Sequence, residues 1–218
     1  MKKYALVLAV ATLAACSNSG EQKTPSTDTA AATVADSAVT IVKAEVPTSK
    51  EYQTKSGKTW VVSEEKTSSS HSTLRVSSKG FTAANDSVKI EGADPLEQVL
   101  QADLNKDGFE EIYLITRSAG SGSGASIHGF SSNKDKSYSG IHVQDVTEKD
   151  IAKGGKFEGY MGHDSIFVQG SMLARQFPIY REGDANAAPS GGKRIVYYTL
   201  KPGEAAWQLA VSSVAQSK

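Results

Sequence analysis

The stretch Asp103-Leu104-Asn105-Lys106-Asp107-Gly108-Phe109-Glu110-Glu111 sets oxygen-bearing side chains at alternate positions. The spacing D-x-N-x-D-G-x-x-E can wrap a hard cation such as calcium, and Gly108 permits the sharp turn this needs. The ligands would be Asp103, Asn105, Asp107, the carbonyl of Phe109, and Glu111. A true EF-hand also needs a bidentate Glu at the twelfth position, which here is Leu114. The plainer reading is an Asx-rich hairpin turn between two strands. We expect the loop to be mainly structural, with no cofactor required and calcium as the one candidate.

A second stretch, Ser118-Ala119-Gly120-Ser121-Gly122-Ser123-Gly124-Ala125-Ser126, is almost free of bulk. Gly120 to Ala125 fits G-x-G-x-x-A, the dinucleotide fingerprint, but that motif must open a helix. The residues that follow, Ile127-His128-Gly129-Phe130, read as a strand, so the fingerprint is rejected. What remains is a Ser/Gly hairpin loop. Its backbone can approach a partner closely, and its hydroxyls and amides can form hydrogen bonds. His163 and Asp164, with His71, His128 and His142, are the residues an enzyme would use. Adjacent residues of a strand point to opposite faces, and neither G-x-S-x-G nor H-E-x-x-H occurs. We expect no catalytic residues. Asp164 is expected to cap backbone amides in a tight turn over Gly159–Asp164.

These residues need elements to position them. After Tyr52 short β-rich runs recur between Gly, Asn, Asp, Ser and Pro. The runs predict strands over Thr59–Glu65, Thr73–Ser77, Ser87–Glu91, Glu97–Asp103, Glu111–Arg117, Ser126–Ser131, Gly140–Val146, Lys156–Tyr160, Ser165–Gln169, Leu173–Tyr180, Arg194–Leu200 and Trp207–Val211. Helical periodicity is confined to a short turn within Val146–Lys153. The pattern predicts an all-β domain, an antiparallel β-sandwich or barrel. No fixed repeat is present, which counts against a propeller. Trp60, Trp207, Phe130, Phe167 and Phe177 are read as core.

The N-terminus has a basic Met1-Lys2-Lys3 and an apolar run to Ala15 that is too short for a permanent membrane helix. It ends Leu13-Ala14-Ala15-Cys16, which resembles a bacterial lipobox. Residues 1–15 are thus expected to be a lipoprotein signal peptide, with Cys16 the lipid attachment site. Ser17 in place of Asp suggests sorting to the periplasmic face of the outer membrane. Cys16 is the one cysteine, so no internal disulfide exists. Residues 16–50, rich in Ser, Thr and Ala, cannot bury enough to fold and are read as a flexible tether. Residues 51–218 form the folded domain. Formal charge is balanced, which excludes an electrostatic case for nucleic acid; membrane contact is expected through the lipid anchor only.

Taken in order, several stretches resemble the periplasmic inhibitors of invertebrate-type (I-type) lysozyme. They are Ala102–Gly108, Arg117–Ser123, Gly159-Tyr160-Met161-Gly162-His163-Asp164, Gln176–Asn186, and Pro189–Arg194 followed by Tyr198. The likeness runs from about Trp60 to Leu209. It implies a β-rich inhibitor that protects peptidoglycan by inserting its Ser/Gly loop into the lysozyme cleft. Carried over, the contact residues are Ser118, Gly120, Ser121, Gly122, Ser123, Gly124 and Ser126, with Ser121 and Ser123 foremost. Tyr160, His163 and Asp164 would form a second contact turn. One departure stands out: the family sets an aromatic residue, usually Tyr, just after its Ser-Gly-Ser, and here Gly124 stands there. The expected partners are an I-type lysozyme and, as an open question, a second copy of this chain. The competing reading rests on Asp103–Glu111, which is similar to calcium loops of the FG-GAP and dockerin kind. It would make the protein a calcium-binding surface or adhesion module. The third reading is a hydrolase using His163 and Asp164.

Overall fold

The computed structural model describes residues 48–83 and 87–217. The expected signal peptide, Cys16 and most of the expected tether lie outside the described residues. β1 (Thr48–Gln53), β2 (Thr59–Lys66), β3 (Ser72–Lys79) and β4 (Val88–Ala93) form one antiparallel sheet in that order. The remaining strands are β5 (Leu96–Ala102), β6 (Glu111–Arg117), β7 (Ala125–Ser132), β8 (Tyr138–Val143), β9 (Ser165–Gln169), β10 (Met172–Pro178), β11 (Lys193–Pro202) and β12 (Trp207–Ser217). They build a second sheet in the order β5-β6-β7-β8-β12-β11-β10-β9. Every neighbour in it is antiparallel except β8 and β12, which run parallel over Gln208–His142 and Leu209–Val143.

A twisted sheet of this width curls on itself. Its two edges meet where the Gln98 side-chain amide on β5 donates to the Ile166 carbonyl on β9 at 2.8 Å. The protein is therefore all-β: a nearly closed barrel with a four-stranded sheet packed on its outside. β6 shows why both layers hold. Tyr113 and Ile115 point into the barrel, among Ile127, Ile141, Leu173, Phe177, Val196 and Leu209. Ile112 and Leu114 point outward, among Trp60, Val62, Leu74, Val76 and Phe130 of the second core. Alternate residues of one strand thus fill two cores, so β6 reads as a continuous apolar run. Trp60 anchors the outer core with edge-on contacts to Phe81 at 5.3 Å and Tyr138 at 5.2 Å. Of the aromatics read as core, Trp60, Phe130 and Phe177 are buried, whereas Phe167 and Trp207 are half-buried.

Three expectations need correction. Lys156–Tyr160 is not a strand. It follows a short helix, α1 (Glu148–Ile151), whose capping box pairs Thr147 with Asp150, and continues in turns closed by Phe157 N–H to the Asp150 carbonyl and Tyr160 N–H to the Phe157 carbonyl. The reason lies in the spacing. A strand would send Phe157 and Tyr160 to opposite faces, but turns bring both rings to Phe177, at 5.7 and 4.9 Å. Second, β1 takes in Thr48, Ser49 and Lys50, which composition alone places in the tether. It is a polar edge strand with Tyr52 as its main apolar contribution. Third, β12 continues past Val211 to Ser217 through a mostly exposed run of Ser, Val, Ala and Gln.

Candidate functional site

Three connections interlock at one end of the barrel: residues 118–124 between β6 and β7, 152–164 before β9, and 179–192 between β10 and β11. The Ser/Gly loop lies in the first. Each carbonyl from Gly120 to Gly124 accepts a hydrogen bond from within the protein. Gly120 takes Ser123 N–H at 2.9 Å, and Gly124 takes Ser118 N–H at 3.0 Å. Gly122 takes His163 N–H at 2.8 Å. Ser121 takes the Asn186 side-chain amide at 3.1 Å, and Ser123 takes Arg117 Nη1 at 2.6 Å. The amides of Gly120, Ser121 and Gly122, by contrast, donate to nothing among the described residues. Ala119, Gly120 and Ser121 are exposed. The tip therefore turns its acceptors inward and its donors outward.

The loop is held where it meets its neighbour. Gly162 sits at φ +90°, a conformation L side chains rarely adopt, and a Cβ there would lie 1.8 Å from the Gly122 carbonyl oxygen. Gly124 is less confined, since a Cβ on it would meet the Tyr160 hydroxyl at an ordinary 3.4 Å.

A buried ionic cluster supports this junction. Asp164 Oδ1 accepts Ala125 N–H at 2.8 Å, and Oδ2 accepts the Tyr160 hydroxyl at 3.2 Å. Arg175 Nε lies 3.3 Å from Oδ2, an ion-pair distance without hydrogen-bond alignment. Arg175 Nη2 donates to the Ala125 carbonyl at 3.2 Å. Arg117, at the end of β6, clasps Glu97 through Nε and Nη2 at 2.8 and 2.7 Å, and also donates to the Asp164 carbonyl at 2.7 Å. Burial, and then the charge of Asp164, push the Tyr160 phenol up to about 12. Asp164 thus accepts a backbone amide, but that of Ala125 on β7 and not one of its own turn, and its carboxylate also faces two guanidiniums. Sequence reasoning does not single out Arg117, Arg175 or Asn186 as site residues. An Arg directly before a Ser/Gly loop is the one local signal; the others join through contacts distant in sequence.

Tyr160, His163 and Asp164 are brought next to the Ser/Gly loop, but His163 and Asp164 do not act on one point. His163 is exposed at φ +53°, with Nε2 3.1 Å from Asn186 Oδ1, whereas Asp164 is buried. Ser126 lies on β7, exposed and just past the loop.

The Asp103–Glu111 segment joins β5 to β6 at the other end of β6, roughly 20 Å away at 3.3 Å per residue. Asp103 accepts the amides of Asp107 and Gly108, at 3.1 and 3.0 Å. Asn105 also accepts Asp107 N–H, at 3.0 Å, and Asp107 accepts Phe109 N–H at 2.9 Å. Glu111 shares the inward face of β6 with Tyr113 and is fully buried. Burial pushes its carboxyl up to about 8, with Asp103 and Asp107 adding to the effect and the Leu104 amide opposing it. Compared with known protein families, curated proteins and solved structures, the chain finds no match.

Proposed function

We propose that this protein inhibits a lysozyme, of the invertebrate type, by inserting the 118–126 loop into the enzyme's cleft. The observation that supports it most is the hydrogen-bond polarity of the loop. The carbonyls of residues 120–124 are consumed internally, while among the described residues the amides of residues 120–122 donate to nothing, and Ser121 and Ser123 add their hydroxyls to the tip. Glycosidases of this class cut with paired carboxylates, which are strong acceptors for such donors. A Gly-rich loop loses much entropy on ordering, but here the bonds to Arg117, His163 and Asn186 have ordered it beforehand, so less is lost on binding. The resemblance to I-type lysozyme inhibitors supplies the target class. On this reading the protein is not an enzyme. It stands on the periplasmic face of the outer membrane, held by lipid on Cys16, where a wall-degrading lysozyme would arrive.

The test is inhibition of wall lysis by invertebrate-, chicken- and goose-type lysozymes. The parent should inhibit the invertebrate type. The double variant Ser121→Arg, Ser123→Arg should not, while melting at nearly the parent's temperature. If that variant inhibits as well as the parent, the loop is not the inhibitory element.

A further inference from the structure

We infer that Asp103, Asn105, Asp107 and Glu111 form a calcium site in which Glu111 is the buried ligand supplied from inside the barrel. This is independent of the inhibitor reading, since the site lies at the opposite end of β6.

The loop spacing alone does not carry the inference; the state of Glu111 does. Its side chain has no exposed surface. Oε2 is anchored by Leu104 N–H at 2.8 Å, while Oε1 makes no aligned hydrogen bond, and the neighbouring Tyr113 hydroxyl is likewise buried without one. A buried carboxylate oxygen without a partner is costly, and buried polar groups in folded proteins almost always find one. The carboxylate is aimed at the loop: oxygens of Asp103, Asp107 and Glu111 all lie within 4.8 Å of one another. Calcium binds oxygens at 2.3–2.6 Å, so two of its ligands can stand up to about 5 Å apart, and one ion can reach all three carboxylates. Magnesium demands near-ideal octahedral geometry and usually keeps several waters, so a loop that offers four protein side chains suits calcium better.

The geometry also answers the objection from Leu114. The missing twelfth residue matters where the loop must supply every ligand itself. Here the first residue of β6, paired with Ala102 across the hairpin, turns its carboxylate back into the loop from the barrel. The amides of residues 107–109 hold the Asp and Asn side chains in place. A proton on Glu111 would quiet one oxygen and leave two facing carboxylates; a divalent cation engages all of them.

The test uses the full-length protein freed of metal by chelation. Calcium is titrated by calorimetry, and terbium luminescence is excited through the aromatic residues, Tyr113 being beside Glu111. We expect one saturable calcium site with Kd at or below about 10⁻⁴ M, within the range of protein calcium loops, and a higher melting temperature in calcium than in chelator. Glu111→Gln keeps the shape and the acceptor for Leu104 N–H. It should bind calcium at least about tenfold more weakly while melting in chelator no lower than the parent. Asp107→Asn, at an exposed position, should weaken binding similarly and serves if the Gln variant does not fold. No saturable binding by the parent up to millimolar calcium, or parent-like affinity in these variants, overturns the site.

Discussion

Asp164 is a single carboxylate on which a whole junction depends. It faces Arg175 and Arg117 and binds Tyr160 and the Ala125 amide. Removing one partner of a buried pair leaves an uncompensated charge, so Asp164→Ala should cost about 3–5 kcal/mol in urea unfolding. A loss below about 1 kcal/mol would mean that water reaches Arg175. Tyr160 gives the same cluster a pH signature. Its phenol is raised to about 12 in the folded state, so the unfolded chain ionises first. The stability is whole below pH 10 and is lost as pH rises from about 10 to about 12. Tyr160→Phe should flatten some of that fall, the rest coming from Tyr52, Tyr113 and Tyr198, which burial also raises. An unfolding series across this range checks it, and an unchanged slope counts against the assignment. At this scale the sequence is partly legible. The turn position suggests that Asp164 caps amides nearby, but the amide it binds lies on β7 and its two Arg partners on β6 and β10, and no local spacing announces them.

At the scale of elements, β6 is the most informative strand. Its residues serve the barrel and the outer core in alternation, so Leu114→Ala opens a cavity that no single layer can close. We expect a loss of about 2–5 kcal/mol by denaturant unfolding; a loss under about 1 kcal/mol would show that the layers slide together. Gly162→Ala addresses the loops. The added methyl must displace the Gly122 backbone, so the variant should lose lysozyme inhibition while circular dichroism keeps its β signature. Full inhibition by this variant would mean that the junction does not order the loop. Strands are readable where alternation or a long apolar run marks them: Glu111–Arg117 and Ser165–Gln169 match the structure residue for residue. β1 is hidden because an edge strand needs little apolar surface. The turns at Phe157 and Tyr160 are hidden because two aromatics three apart fit either a strand or a turn until Phe177 is known to lie beneath both. Sheet order is not readable, since the parallel meeting of β8 and β12 joins strands far apart in sequence.

For the whole molecule, the barrel separates the two proposed sites along one strand, with the Ser/Gly loop at one end and acidic oxygens at the other. The proposed lipid anchor belongs to this scale, because it would decide where the barrel is held. Cys16→Ser should shift the protein from the membrane to the soluble fraction and remove lipid mass from the purified chain; a variant that still partitions with the outer membrane would contradict the anchor. No helix among the described residues is long and apolar enough to cross a membrane. A chain held from its N-terminal side feels force at β1, whose one neighbour in the sheet is β2. Pulled outward, its six residue pairs separate in succession, and β2, β3 and β4 keep the outer core covered. The barrel strands that carry the loop take no share of that first yielding. With the chain anchored at Cys16 as proposed, β1 would act as a mechanical fuse: tension on a bound partner would lengthen the leash by a strand before it loosened the grip.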